Sequence, residues 1–107
     1  MAAIPINADS FHEMTGNSTP VLVDYWAPWC GYCRRIGPAY ELIADQFDAE
    51  VEIVKINIDE EAELANAEAI EVIPTLVMYK GGKAVNSIVA PESKAMIESF
   101  IWESMDK

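Results

Sequence analysis

The sequence predicts a single α/β domain built on a mixed β-sheet. Apolar runs at residues 21–26, 51–58 and 75–79 have the composition of strands that are covered on both faces. Segments with helical spacing separate these runs, which favours parallel strands joined by helical crossovers. The Gly81–Gly82 pair between two strand-like segments indicates a hairpin. A chain of 107 residues, 51% of them apolar, is long enough to form one compact core over residues 1–107.

The first half of the chain is predicted to form two strands and two helices. Ile4–Ile6 is interpreted as a short strand, and Asn7 can cap the helix that follows it. Val21–Trp26 is the next strand. Residues 31–47 form a helix in which Pro38 is expected to kink the axis. Its apolar residues recur at helical spacing: Ile36, Tyr40, Ile43 and Phe47.

The second half is predicted to form three strands and two helices. Val51–Ile58 is a strand, Glu61–Ala69 a helix, and Thr75–Tyr79 and Ala84–Val89 the two strands of the hairpin. A last helix follows Pro91. Its buried side comprises Ile97, Phe100, Ile101 and Met105. The order βαβαβαββα predicts a five-stranded mixed sheet with an antiparallel hairpin at one edge, flanked by four helices.

The chain's only two cysteines, Cys30 and Cys33, stand three residues apart where a strand gives way to a helix. Free N–H groups and the helix dipole can stabilise one of them as a thiolate there. A structural staple is a poor explanation, because closing a loop of about four residues stabilises a fold by only about 2 kcal/mol. Zinc needs about four ligands, and His12 is the only histidine. The pair therefore predicts dithiol/disulfide redox chemistry, with no metal or organic cofactor.

The charge balance disfavours two classes of partner. Eighteen acidic residues against seven basic ones give a formal charge of −11, which repels nucleic-acid backbones and anionic lipid. Apolar runs are far shorter than a membrane span, and residues 1–7 have neither the basic nor the apolar region of a signal peptide. We therefore expect no nucleic-acid or membrane partner and a cytoplasmic location, where a close cysteine pair is usually catalytic.

Two segments resemble the thioredoxin family. Residues 23–33 read Val-Asp-Tyr-Trp-Ala-Pro-Trp-Cys-Gly-Tyr-Cys, and residues 73–82 contain Ile-Pro-Thr-Leu followed by Tyr-Lys-Gly-Gly. A lone Cys-x-x-Cys is a weak signal, but this combination is specific and the likeness extends along the whole chain. The resemblance implies the thioredoxin fold and a thiol–disulfide oxidoreductase that reduces protein disulfides. It also implies protein-disulfide substrates, a thioredoxin-reductase-type electron donor and a monomer.

Four residues have expected roles in the exchange reaction. Cys30, nearer the helix start, should be the nucleophilic thiolate, and Cys33 the resolving thiol. Asp24 lies in a strand expected to be buried, where a carboxyl group tends to keep its proton unless it reaches solvent or pairs with a base. The resemblance makes Asp24 the proton acceptor and donor for Cys33. Lys55 resembles the family's partner for that carboxylate, although a solvated strand lysine is an equal alternative.

A substrate groove is expected around the cysteines. The resemblance implies a cis peptide bond at Pro74 and packing of this proline against the disulfide. The backbone of Ile73 would then pair with an extended substrate segment. Trp29 should form a half-exposed wall, whereas Trp26 should pack beneath the site. The remaining groove residues are Gly31, Tyr32 and Ala90.

Three positions depart from the usual family pattern. Tyr32 replaces a proline between the cysteines, Arg34 replaces a common lysine, and Ala90 replaces a glycine beside the site. We expect these positions to bear on redox poise and the choice of partner and to leave the reaction class unchanged. Two alternatives stay open: a more oxidising thiol oxidase or isomerase, and a binding subunit in which the dithiol is incidental.

Overall fold

A computed structural model gives the structure of residues 3–107. The strands are β1 (Ile4–Pro5), β2 (Val21–Trp26), β3 (Glu52–Asn57), β4 (Thr75–Lys80) and β5 (Lys83–Val89). The helices are α1 (Ala8–Thr15), α2 (Gly31–Gln46), α3 (Ala62–Ala67) and α4 (Lys94–Met105). The predicted order of elements is confirmed, with most ends displaced by one or two residues.

The five strands form one mixed sheet in the order β1-β3-β2-β4-β5. β1 and β2 pair with β3 in parallel, whereas β4 runs antiparallel to β2 and β5 antiparallel to β4. Gly81 and Gly82 have φ angles of +60° and +81°, which glycine adopts readily in a two-residue hairpin turn. The predicted antiparallel hairpin at one edge is therefore confirmed.

The sheet has a helix pair on each face, because strand side chains alternate between the faces. Val21, Val23 and Tyr25 lie in a buried cluster with residues of α1 and α3. Leu22 belongs to a second cluster with residues of α2 and α4. Asp24 has the same parity as Leu22, so its carboxyl group lies on the face covered by α2.

Two helix boundaries have local causes. The Asn7 side chain accepts a hydrogen bond from the Ser10 N–H at 2.9 Å and so caps α1 as predicted. The third helix is shorter than the predicted 61–69, because Ala69 has a φ angle of +59° and cannot continue a right-handed helix. α2 runs through Pro38 to Gln46 and buries one side: Cys33, Ile36, Tyr40, Ile43 and Ala44.

Candidate active site

Cys30 and Cys33 form a disulfide at the start of α2. Cys30 is the residue that caps the helix: its Sγ accepts a hydrogen bond from the Cys33 N–H at 3.2 Å. Free helix N–H groups and the positive end of the helix dipole stabilise negative charge at this position. The first turn of α2 contains no acidic residue to oppose that effect. The local geometry therefore favours a thiolate at Cys30 when the disulfide is reduced.

The two sulfur-bearing residues differ slightly in exposure. Cys30 is 8% exposed and Cys33 4% exposed. Cys30 Sγ lies 4.0 Å from the carbonyl oxygen of Ile73, at the rim of the site. Cys30 is therefore slightly more accessible than Cys33.

The loop before β4 and the loop after β5 also contribute to the site. The Ile73–Pro74 peptide bond is cis. The Ala90 N–H donates a hydrogen bond to the Pro74 carbonyl at 2.9 Å, so the two loops are joined. Ala90 has a φ angle of +46°, in the left-handed region that favours glycine. The structure thus places Ile73 beside Cys30 and joins the neighbouring Pro74 to Ala90.

Trp29 and Asp59 lie in the loops that follow β2 and β3. Trp29 is 66% exposed, and its indole N–H donates to both carboxylate oxygens of Asp59, at 3.2 and 3.0 Å. Sequence reasoning identified Trp29 and missed Asp59. A signal was available, because β2 and β3 are parallel neighbours and the loops after their carboxyl ends meet at one edge of the sheet.

The Tyr32 side chain contacts the loop that follows β5. Its hydroxyl donates to the carbonyl of Pro91 at 3.0 Å, and the Arg35 guanidinium lies 5.9 Å from the centre of its ring. This contact links the start of α2 to the loop that contains Ala90. Two departures from the family pattern, Tyr32 and Ala90, therefore act on the same loop. Gly31 lies between the cysteines and has no side chain.

Asp24 is buried beneath the disulfide. Its residue is 4% exposed, and Oδ1 has no hydrogen-bond partner among residues 3–107. Burial raises the pKa of this carboxyl group from 3.8 to about 7, with Lys55 lowering and Glu41 raising it by smaller amounts. A cavity of about 150 Å³ joins Asp24, Cys33 and the half-buried Trp26. The cavity is large and polar enough for water to connect the carboxyl group with the Cys33 sulfur.

Lys55 lies opposite Asp24 in the register of β2 and β3 but does not form an ion pair with it in the described chain. Its Nζ is 3.7 Å from Glu41 Oε2 and 5.5 Å from the centre of the Trp26 ring. Lys55 therefore acts on Asp24 through its charge, and Glu41 is its direct partner. Sequence reasoning missed Glu41, although Cys33, Gly37 and Glu41 follow the i, i+4, i+8 spacing of one helix face.

The described part of the chain offers no grouping of three or more His, Cys, Asp or Glu side chains that could hold a metal ion. Within residues 3–107, no helix is long and apolar enough to cross a membrane.

Comparison with known proteins decides the family. The family model for thioredoxin matches residues 2–103. Thioredoxin of Synechocystis sp. is 42% identical over 103 residues, covering 94% of this chain and 96% of that protein. Thioredoxin 1 of Nostoc sp. is 39% identical over 101 residues, covering 94% of each. The crystal structure of Malassezia sympodialis thioredoxin superposes with a TM-score of 0.87 at 30% identity, covering 97% of this chain and 95% of that one.

The chain belongs to the thioredoxin family. It has the thioredoxin fold and is a thiol–disulfide oxidoreductase of protein disulfides, with Cys30 and Cys33 as its redox-active pair. The family implies protein-disulfide substrates and a reductase partner in general terms. The comparisons do not favour the oxidase or isomerase alternative, or the binding subunit.

Proposed function

We propose that this thioredoxin-family protein works as a monomeric single domain in the cytoplasm. It reduces protein disulfides there and regains its dithiol from a thioredoxin-reductase-type donor. One observation supports Cys30 as the nucleophile and Cys33 as the resolving thiol: Cys30 Sγ caps α2. A thiolate at a helix N-terminus is the stronger candidate nucleophile, since N–H groups stabilise its charge.

The reaction has two exchange steps. The Cys30 thiolate attacks one sulfur of the substrate disulfide, forming a mixed disulfide and releasing the other substrate sulfur as a thiolate, which takes a proton. Cys33 then loses its proton and attacks Cys30 Sγ. The Cys30–Cys33 bond forms, the mixed disulfide breaks, and the second substrate sulfur leaves. Two electrons pass from the protein to the substrate, and the donor returns them.

Asp24 is proposed to accept the Cys33 proton in the second step. A carboxyl group with a pKa of about 7 exchanges protons readily at neutral pH. The cavity shared by Asp24 and Cys33 supports transfer through water. Lys55 contributes its positive charge from the mouth of this cavity.

The substrate is proposed to bind as an extended segment across the site. The Ile73 backbone next to Pro74 supports pairing with such a segment, because Cys30 Sγ lies close to the Ile73 carbonyl oxygen. Trp29 and Gly31 would line one side of the segment, and Tyr32 and Ala90 the other.

Trapping tests the proposal. In Cys33→Ser, the Cys30 thiolate can still attack a substrate disulfide, but no second thiol can break the mixed disulfide that forms. Mixed disulfides with protein partners should therefore accumulate in cell extract. Cys30→Ser is the matched control and should trap nothing. A purified protein-disulfide reduction assay completes the test: loss of reduction in both variants is expected. Activity that persists when both cysteines are serine would instead support the binding subunit.

Equilibration with glutathione separates the remaining alternative. If the protein is a net reductant, its disulfide is more stable than that of glutathione. The dithiol should then be oxidised at low ratios of oxidised to reduced glutathione. A dithiol that persists in oxidising mixtures would support the oxidase or isomerase.

A further inference from the structure

Glu41 lines the cavity that Asp24 and Cys33 share. Its Oε1 accepts a hydrogen bond from the Ala3 N–H at 2.8 Å, and its Oε2 lies 3.7 Å from Lys55 Nζ. The side chains of Glu41 and Lys55 are 38% and 29% exposed, so the pair sits between solvent and the buried carboxyl group. The bond from Ala3 fixes the Glu41 carboxylate in place.

The position of Lys55 needs an explanation, because the sheet places it next to a buried acid. Lys55 is paired with Asp24 in the parallel register of β2 and β3, and both side chains lie on the face covered by α2. An uncompensated buried charge is costly, so a nearby ammonium would be expected to approach the Asp24 carboxylate. The Lys55 ammonium instead lies by Glu41 and above the Trp26 ring. Among residues 3–107, the buried side-chain atoms without a hydrogen-bond partner are Asp24 Oδ1 and Trp26 Nε1, and both residues line the cavity.

We propose that Glu41 is a positioning residue for disulfide exchange: it holds Lys55 at the mouth of the cavity and so leaves the Asp24 carboxyl group free to exchange a proton with Cys33. The inference rests on the proposed function, in which Asp24 accepts the proton of Cys33. A lysine paired directly with Asp24 would fix the carboxylate in its charged form. The carboxyl group could then not return a proton to Cys33 when the disulfide is reduced again.

In the described part of the chain, few other charged groups around Asp24 could fix its carboxyl group in the charged form. The titratable or charged residues lining the cavity are Lys55 from β3 and Cys33, Arg34, Tyr40 and Glu41 from α2. β4 places the apolar Leu76 opposite Asp24. Of the two basic groups, Arg34 donates to the Pro28 carbonyl at 2.7 Å. Lys55 is therefore the cation whose placement can change the charge state of Asp24, and Glu41 is its anchor.

The test is the pH dependence of the resolving step. Glu41→Gln removes the charge and keeps an oxygen that can accept the Ala3 N–H. With its anchor neutral, Lys55 should move towards Asp24, and the inflection in the rate of mixed-disulfide resolution should move to lower pH by about one unit, a tenfold change in proton affinity. NMR titration of the Asp24 carboxyl carbon in the oxidised protein measures the same shift without turnover.

Two further variants make the test specific. In a Lys55→Met background, Glu41→Gln should shift the inflection by a smaller amount, because only the direct repulsion between the two carboxylates is lost. Glu52→Gln is the matched control for net charge: Glu52 is exposed on the opposite face of β3 and should shift nothing.

The outcomes separate the inference from the function it rests on. An unshifted inflection in Glu41→Gln, or an equal shift with and without Lys55, overturns the positioning role of Glu41 alone. An inflection that persists in Asp24→Asn overturns the proton role of Asp24, and the inference with it.

Discussion

The stability of Asp24→Asn relative to the native protein should increase as pH rises from acid to neutral and then stay constant. The carboxyl group has a pKa of about 7 in the folded protein and 3.8 ordinarily, because burial disfavours its charged form. Between these values the unfolded chain has released a proton that the folded protein still holds. The free energy of unfolding must therefore fall as pH rises through this window.

The size of the effect follows from the two pKa values. A difference of about three pKa units corresponds to about 4 kcal/mol at 1.36 kcal/mol per unit. The native protein should lose about this much stability between pH 4 and pH 8 through this one group. Asparagine does not titrate, so the variant should escape the loss. Any constant cost of burying its amide appears equally at every pH and cancels from the comparison.

Chemical denaturation at half-unit steps from pH 4 to pH 9 measures the difference in unfolding free energy between variant and native protein. We expect the difference to grow in favour of Asp24→Asn up to about pH 7 and then to level off. Glu52→Gln, an exposed acid on β3, should show no such growth. A difference that stays constant with pH, or a variant that loses stability most at high pH, would mean that the carboxylate is stabilised in the fold.

Three more predictions concern the rim of the site. In the reduced protein at neutral pH, Cys30 should be alkylated much faster than Cys33, because Cys30 caps α2. Mass spectrometry measures both rates, and equal rates would contradict the assigned roles of the two cysteines. Ala90→Gly should raise the unfolding free energy by about 1 kcal/mol in denaturant melts by relieving a left-handed alanine, and should raise activity on large protein disulfides more than on small ones. A loss of stability, or equal gains on both substrates, would contradict this reasoning. Tyr32→Pro should make the couple more reducing by on the order of 30 mV, because proline stiffens the segment between the cysteines. Tyr32→Phe, which removes only the bond to the Pro91 carbonyl, is the control and should leave the potential unchanged; equal glutathione equilibria for both variants and the native protein would refute the stiffening argument.

The sequence predicted the elements well where a local pattern determines them. The apolar run of β2, the cap at Asn7 and the glycine pair of the hairpin each specify their own conformation through neighbours in the chain. The end of α3 was missed by two residues, since nothing in a polar helix of alanines and glutamates marks Ala69 as left-handed. Burial of Asp24 could be predicted, because a strand covered on both faces buries whatever residue it contains.

Contacts between distant elements could not be predicted in the same way. The Tyr32 hydroxyl and the Pro91 carbonyl are 59 residues apart, and their meeting depends on how the loop after β5 is placed over α2. The pairing of Lys55 with Glu41 depends on the rotation of α2 above the sheet. Helical spacing could have placed Glu41 on the face of Cys33, but spacing alone does not say which strand residue that face meets. The cis bond at Pro74 was implied by the resemblance, since a proline by itself favours trans.

The hydrogen bonds between Trp29 and Asp59 lower the free-energy cost of covering the Trp29 ring with a partner. A large exposed indole would normally rotate among several conformations, and a partner that covered it would have to immobilise it at about 0.5–1.5 kcal/mol. Two bonds to one carboxylate already hold this ring in place. An exposed aromatic ring also invites contact between copies of the same protein. The charge of −11 opposes such contact at long range, so the ring can stay at the surface for a partner less acidic than the protein itself.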